Sequence, residues 1–303
     1  MKRQIRVGSR ESALAVAQSR LVMEEIERAV PGAKLTLVTM KTTGDRILDR
    51  PLERIGGKGL FVKELDLALR EGRCDLAVHS LKDMPMEEAE ELPILAYSKR
   101  EDRRDVLVLR EGLKELPPCP VLGTSSRRRR LQAGRLFPDA RFEMCRGNLA
   151  TRLDKLDRGD FDALILAAAG LKRMGYGERI SRYFTVEEMI PAAGQGILAV
   201  QGRAGENADV LEAVDCPESR VMAEAERAFV RAVGGGCSFP AAAAAVLSAG
   251  GLSEDALITL SGLYYEEESG RWKTGSLKGR PEEAGELGRR LAALLSRGEG
   301  PWN

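Results

Sequence analysis

Apolar positions in the first third of the chain switch between two periods. Gln4–Gly8 is a strand-like run, and Ser12 then caps an amphipathic helix that reaches about Ala29. Leu14, Ala17, Leu21, Val22 and Ile26 fall on that helix at helical spacing. Lys34–Met40 predicts a second strand, Phe61–Glu71 a helix and Asp75–His79 a short buried strand. This βαβ rhythm predicts a mostly parallel sheet with helices on both faces.

A charged stretch, Lys99 to Asp105, separates the apolar runs Ile94–Ser98 and Val106–Leu109 and predicts a crossover to a second domain. There the rhythm repeats. A strand at Val121–Leu122 is followed by a helix over about Ser126–Leu136, a strand near Arg141–Met144, a helix near Leu149–Arg158 and a strand at Ala163–Ala167. Leu149, Leu153 and Leu156 share one face of the second of these helices. A Gly/Ala-rich segment then leads into the strand-like Gly196–Gln201. A long helix, about Glu218 to Val233, stops at three glycines, Gly234 to Gly236. The remainder alternates strand-like runs (Leu257–Tyr265, Trp272–Leu277) with a last helix near Glu282–Leu295, an α+β pattern. Ala241–Ala245 fits strand and helix equally well.

Composition narrows the function classes. The 303 residues suit two or three domains. Lys+Arg number 47 and Asp+Glu 46, so no global field steers the chain to nucleic acid or an anionic membrane. No signal peptide or membrane-length apolar run is visible, which predicts a cytoplasmic protein. The five cysteines are scattered without Cys-x-x-Cys spacing, arguing against disulfides and zinc. With a single histidine, His79, the chemistry must rest mainly on carboxylates, Lys, Arg or Cys.

Four consecutive arginines, Arg127 to Arg130, follow Gly123-Thr124-Ser125-Ser126 and open a helix. Cations in a first turn oppose the helix dipole, so the arrangement makes sense if a multiply charged anion docks there. A solvated basic face or a nucleic-acid patch is the alternative. Two further segments place small or hydroxyl residues and Arg where a strand hands over to a helix. They are Gly8-Ser9-Arg10-Glu11-Ser12, and Cys145-Arg146-Gly147-Asn148 with Arg152 one turn on. Since carboxyl ends of strands form the binding crevice of open α/β sheets, these predict an arginine-lined cleft for a polycarboxylate.

Asp83, after the strand ending at His79 and before Pro85, is either an acid/base group or half of a surface pair with Lys82. His79 reads as a hydrogen-bonded core residue. Gly56-Gly57-Lys58-Gly59 is either a lid or a plain flexible loop. Cys237, on its glycine loop, is either an exposed nucleophile or part of an ordinary helix-capping loop.

Taken in order, several motifs make the chain resemble the porphobilinogen deaminase (hydroxymethylbilane synthase) family. They are His79-Ser80-Leu81-Lys82-Asp83-Met84-Pro85, Gly123-Thr124-Ser125-Ser126 with Arg128-Arg129, and Arg146-Gly147-Asn148 with Thr151-Arg152. Ala167 to Gly170 with Leu171-Lys172-Arg173, Gly194-Gln195-Gly196 and Gly235-Gly236-Cys237 complete the set. The resemblance spans about Ile5 to Pro240. It implies two α/β domains with mixed sheets like type II periplasmic binding proteins, and a smaller C-terminal α+β domain. Residues 1–98 with 195–216 would form the first, 99–194 the second and 217–303 the third. It implies a dipyrromethane cofactor attached through Cys237, on which four porphobilinogen molecules condense head to tail with loss of ammonia before hydrolytic release of hydroxymethylbilane. By the same resemblance Asp83 is catalytic. Lys82, Asp83, Thr124, Ser125, Ser126, Arg128, Arg129, Arg146 and Gly147 hold the cofactor. Arg10, Ser12, Lys58, Arg146, Arg152, Arg173 and Gln195 hold substrate. A monomer acting on a small molecule, with no metal, nucleic acid or membrane partner, is the corresponding expectation.

Overall fold

The computed structural model describes residues 4–46, 62–234 and 239–297. Lys58 with its glycines and Cys237 lie outside the described residues. The chain divides into two compact units, 1–101 with 197–220 and 102–196 with 221–303.

The first unit is built on a five-stranded sheet of β1 (Gln4–Arg10), β2 (Lys34–Met40), β3 (Leu76–Ser80), β4 (Ile94–Tyr97) and β10 (Leu198–Gly202), in the order β2-β1-β3-β10-β4. β1 runs parallel to β2 and β3, whereas β10 is antiparallel to both its neighbours. Ile5, Val7, Leu76, Val78 and Val200 pack with Val22 and Ile26 of the Ala13–Ala29 helix. Ala77, Cys74 and Leu92 pack with Leu65, Ala68 and Leu69 of the Lys63–Arg70 helix. Helices therefore cover both faces, which is why the central strand β3 reads as a continuous apolar run, Leu76 to Val78. The buried face of the first helix is rotated from the expected one. Leu21 is exposed, while Ala15, Gln18 and Ser19 are buried with Val22 and Ile26. Small side chains at Ala15 and Ser19 let the helix approach the sheet, and Gln18 meets the Ser80 hydroxyl at 3.1 Å.

The second unit repeats the arrangement. β5 (Asp105–Leu109), β6 (Val121–Gly123), β7 (Arg141–Glu143), β8 (Ala163–Ala167) and β9 (Arg182–Tyr183) lie in the order β7-β6-β8-β5-β9. β6 is parallel to β7 and β8, and β5 is antiparallel to β8 and β9. Side chains alternate across the sheet. Val106, Val108, Leu164 and Leu166 face Leu153, Leu156 and Leu171, while Leu107, Ala163 and Ile165 face Leu122, Ala133 and Phe184. In each sheet the fourth strand is an antiparallel insertion from a distant part of the chain, β10 in one and β5 in the other. The mostly parallel sheet expected from the rhythm is therefore a mixed one, the two-sheet architecture implied by the family resemblance.

The smaller α+β part of the second unit has an antiparallel sheet of β11 (Ala242–Leu247), β12 (Ile258–Tyr265) and β13 (Trp272–Gly279) with helices Pro217–Ala232 and Ala284–Ser296. The alanine run is a strand. Its outward N–H groups are taken, that of Ala243 by Pro191 O at 3.1 Å and that of Ala245 by Glu226 Oε1 at 2.7 Å. The other Glu226 oxygen accepts from Gly194 N at 2.7 Å, so one buried carboxylate covers this edge strand and fixes the segment before β10. Gly288 lets the two helices touch, because a Cβ there would lie 2.5 Å from Ala225 O.

Candidate active site

In the first unit, the parallel strands β1 and β3 deliver Arg10, Ser12, Lys82 and Asp83 at their carboxyl ends. Ser12 caps the first helix, its hydroxyl accepting from Ala15 N at 3.4 Å. Lys82 and Asp83 sit in a 3-10 turn, Leu81–Asp83, both half-buried between the buried Leu81 and Met84. The turn is tied to the sheet by Leu81 N donating to Ile197 O at 3.0 Å. His79, on β3 just before the turn, is a core residue, as its sequence context suggests. Its Nε2 meets Gln201 Oε1 at 3.1 Å, and an amide oxygen can only accept, so Nε2 carries the proton. The amide nitrogen of Gln201 donates to Leu92 O at 3.0 Å. Burial pushes the His79 imidazole down to about 4, the charge of Arg10 acting in the same direction and the Gln201 bond against it.

In the second unit, the carboxyl ends of β6 and β7 bring together most of the remaining expected residues. Ser126 caps the Arg127–Leu136 helix by accepting from Arg129 N at 3.4 Å, and Thr124 Oγ1 accepts from Ser126 N at 3.3 Å. Ser125 Oγ donates to Cys145 O at 2.6 Å, joining the two loops. Gly147 has φ +117°, and a Cβ there would sit 2.9 Å from Thr151 Cγ2, so glycine is required at this bend. Asn148 caps the next helix, accepting from Thr151 N at 2.9 Å, and Arg152 Nε returns to Gly147 O at 2.8 Å. Arg173, at the end of the Ala168–Arg173 helix, donates to Gly196 O at 2.6 Å.

The arginine quartet divides. Arg130 is exposed, and Arg127 packs on the Tyr265 ring, 5.3 Å from its centroid. Arg128 and Arg129 point into the protein and are buried against Asp105, which is itself fully buried. Arg128 Nη1 lies 2.6 Å from Asp105 Oδ2 and 2.7 Å from Ile190 O. Arg129 reaches Asp105 Oδ1 through Nη2 at 2.9 Å and through Nε at 3.0 Å, and its Nη1 donates to Ile165 O at 3.1 Å. Gln195 Nε2 donates to the same Oδ1 at 2.9 Å and to Arg103 O at 2.8 Å. Burial alone would push the Asp105 carboxyl up. The charges of Arg128 and Arg129, with the bonds from Arg128 and Gln195, outweigh it and hold the group well below the usual carboxylate range. Sequence reasoning saw the anomalous cations and missed their internal partner. Its signal was an aspartate ending a charged run and opening the apolar run Val106–Leu109.

One carboxylate against two guanidinium groups leaves a positive excess. Arg146 extends it, since its Nη1 is buried with no hydrogen-bond partner among the described residues. An orphaned buried guanidinium nitrogen is costly unless an anion meets it. The site therefore fits a ligand with several carboxylates. Among the described residues no cluster of His, Cys, Asp and Glu suits a metal ion.

Comparison with known proteins agrees with this chemistry. Residues 5–211 match the family model "porphobilinogen deaminase, dipyromethane cofactor binding domain", and residues 221–297 match "porphobilinogen deaminase, C-terminal domain". The chain belongs to the porphobilinogen deaminase family. Among its relatives, the porphobilinogen deaminase of Ruminiclostridium cellulolyticum is 51% identical over 97% of this chain and 98% of its own length. That of Acetivibrio thermocellus is 47% identical over 97% of this chain and 98% of its own length. Among solved structures, the periplasmic aliphatic sulphonate binding protein of Escherichia coli is similar over 76% of this chain and 70% of its own, with a TM-score of 0.39 and 14% identity. Family membership brings a dipyrromethane cofactor binding domain to residues 5–211.

Proposed function

We propose that the protein condenses four porphobilinogen molecules head to tail, with loss of ammonia, and releases hydroxymethylbilane by hydrolysis. The observation that most directly supports this is the buried, partnerless Arg146 Nη1, on the loop that Ser125 joins to the start of the arginine helix, within a chain of the porphobilinogen deaminase family. Each pyrrole of substrate and product carries an acetate and a propionate, so a growing chain is a polyanion. Arginine suits that ligand because its planar fork meets carboxylates two bonds at a time.

A dipyrromethane bound covalently at Cys237 would supply the pyrrole end to which new units join. Arg128, Arg129 and Arg146 hold its carboxylates, assisted by Lys82, Thr124, Ser125, Ser126 and the backbone at Gly147. Arg10, Ser12, Lys58, Arg146, Arg152, Arg173 and Gln195 hold the incoming porphobilinogen. In each addition the aminomethyl group of the substrate leaves as ammonia, and an electron-poor methylene pyrrole remains. The Asp83 carboxylate, placed at a pyrrole N–H, stabilises the positive charge that develops there. It also accepts and returns the proton lost when the new carbon–carbon bond forms. Residues 1–98 with 195–216, 99–194 and 217–303 would act as three domains, the last carrying the cysteine.

The near-equal numbers of acidic and basic residues support a small-molecule substrate without nucleic acid or membrane partners. No described helix is long and apolar enough to cross a membrane. A cytoplasmic monomer completes the proposal. The test is to supply porphobilinogen to the purified enzyme and follow ammonia and product together. The proposal expects one ammonia per porphobilinogen consumed and a linear tetrapyrrole; consumption without ammonia release contradicts it.

A further inference from the structure

We propose that Asp105 is a positioning residue for anion recognition, setting the direction of the Arg128 and Arg129 guanidinium groups and limiting how much positive charge they offer. The inference rests on the proposed function only for the identity of the natural anion. Both oxygens of Asp105 are engaged, Oδ2 by Arg128 and Oδ1 by Arg129 and Gln195. Among the described residues the hydrogen bonds of Arg128 all run through Nη1, so its Nε and Nη2 edge is left for a ligand.

A core ion cluster of this kind is a poor choice for stability alone, since well-packed apolar side chains commonly do as well. The second arginine is satisfied internally, its nitrogens meeting Asp105 and Ile165 O, but its charge is in excess. One guanidinium would neutralise Asp105, and the second is brought close to like charges, with Arg128 and Arg152 both acting on Arg129. The excess makes sense if an outside anion completes the cluster. The internal carboxylate then matters in two ways. It fixes two long side chains that would otherwise lose rotamer freedom on binding. It also cancels part of the field, so that a single small anion gains less from the site than a correctly spaced polycarboxylate.

Selectivity therefore tests the proposal better than activity alone. The holoenzymes of Asp105→Asn and Asp105→Glu would be assayed well below their measured unfolding midpoints, with inorganic phosphate as a competing anion. For Asp105→Asn the expected result is a KM for porphobilinogen raised about fivefold or more and phosphate inhibition tightened about fivefold or more. Asp105→Glu, which keeps the charge but moves it by a methylene, should raise KM while leaving phosphate inhibition near wild type. A purely structural role would lower the unfolding midpoint and the active fraction without changing phosphate inhibition, and that result overturns the proposal. If Asp105→Asn does not fold, a wild-type KM in Asp105→Glu overturns it. Should the wild-type protein fail to consume porphobilinogen, the proposed function fails instead. Phosphate binding by calorimetry then still decides: tighter binding to Asp105→Asn supports the positioning role, and equal binding overturns it.

Discussion

The two five-stranded sheets share one strand order, yet their inserted antiparallel strands carry opposite kinds of buried polar group. In the first unit β10 brings Gln201 to His79 of β3, a neutral pair joined at 3.1 Å. In the second, β5 brings Asp105 to two arginines and a glutamine. Each group lies on the strand that enters from a distant part of the chain, where polar specificity helps select one register. A neutral pair does this at modest desolvation cost, whereas the charged cluster also creates a field. That difference matches the division of labour proposed here. Under that proposal the first unit supplies the Asp83 carboxylate that works on the reacting ring, and the second supplies most of the arginines that grip the polyanion.

The largest effect should come from the first unit. Asp83→Ala should lower turnover by about 10²–10³-fold while the protein folds and retains its dipyrromethane. Near-normal turnover would show that the carboxylate is not the group at the reacting ring. Next, denaturant unfolding of paired variants would compare the two buried clusters. Asp105→Ala should cost about 3–5 kcal/mol, because it strands two buried cations. Gln201→Ala, which takes the partner from the buried His79 imidazole, should cost about 1–3 kcal/mol. Equal losses would erase the distinction drawn between the sheets.

Acid sharpens the contrast further. The His79 imidazole is held near 4 in the folded protein, below its ordinary value, so the unfolded chain binds its proton first as pH falls. Its contribution is complete above the ordinary histidine range and is lost as pH drops from about 6.5 to about 4, by up to ~1.4 kcal/mol per pH unit. With one histidine in the chain, His79→Asn should flatten the stability profile in that window. An unchanged slope would place the titration elsewhere. The smallest loss of stability belongs to Arg146→Leu, which should leave the cofactor-free protein at least as stable as wild type, since it removes a buried Nη1 with no internal partner. The same variant should acquire its dipyrromethane markedly more slowly, and normal loading would count against the carboxylate clamp.

Periodicity made the local elements legible. Lys34–Met40 and Ala163–Ala167 form strands at those bounds, and the Ser12 cap holds. The mixed sheet order left no such trace, because the pairing of β5 with β8 or β10 with β3 is decided between residues far apart in the chain. Ala241–Ala245 was undecidable for a related reason. Alanine suits helix and strand alike, and the strand is settled by Pro191 O and the Glu226 carboxylate. At the site, the arginines announced themselves by contradicting the helix dipole. Their buried counter-charge was fainter, since only its place at the junction of a charged run and the apolar run Val106–Leu109 sets Asp105 apart from the other charges there. The motifs located the functional loops, and folding revealed what holds the side chains within them.

Intact mass of the active enzyme, set beside Cys237→Ser, decides whether a primer is tethered through sulfur. A fixed increment over the sequence mass, equal to one dipyrromethane, should be present in the wild type and disappear in the variant together with activity. An enzyme that turns over porphobilinogen at its bare sequence mass, with the Cys237 thiol free, would contradict it.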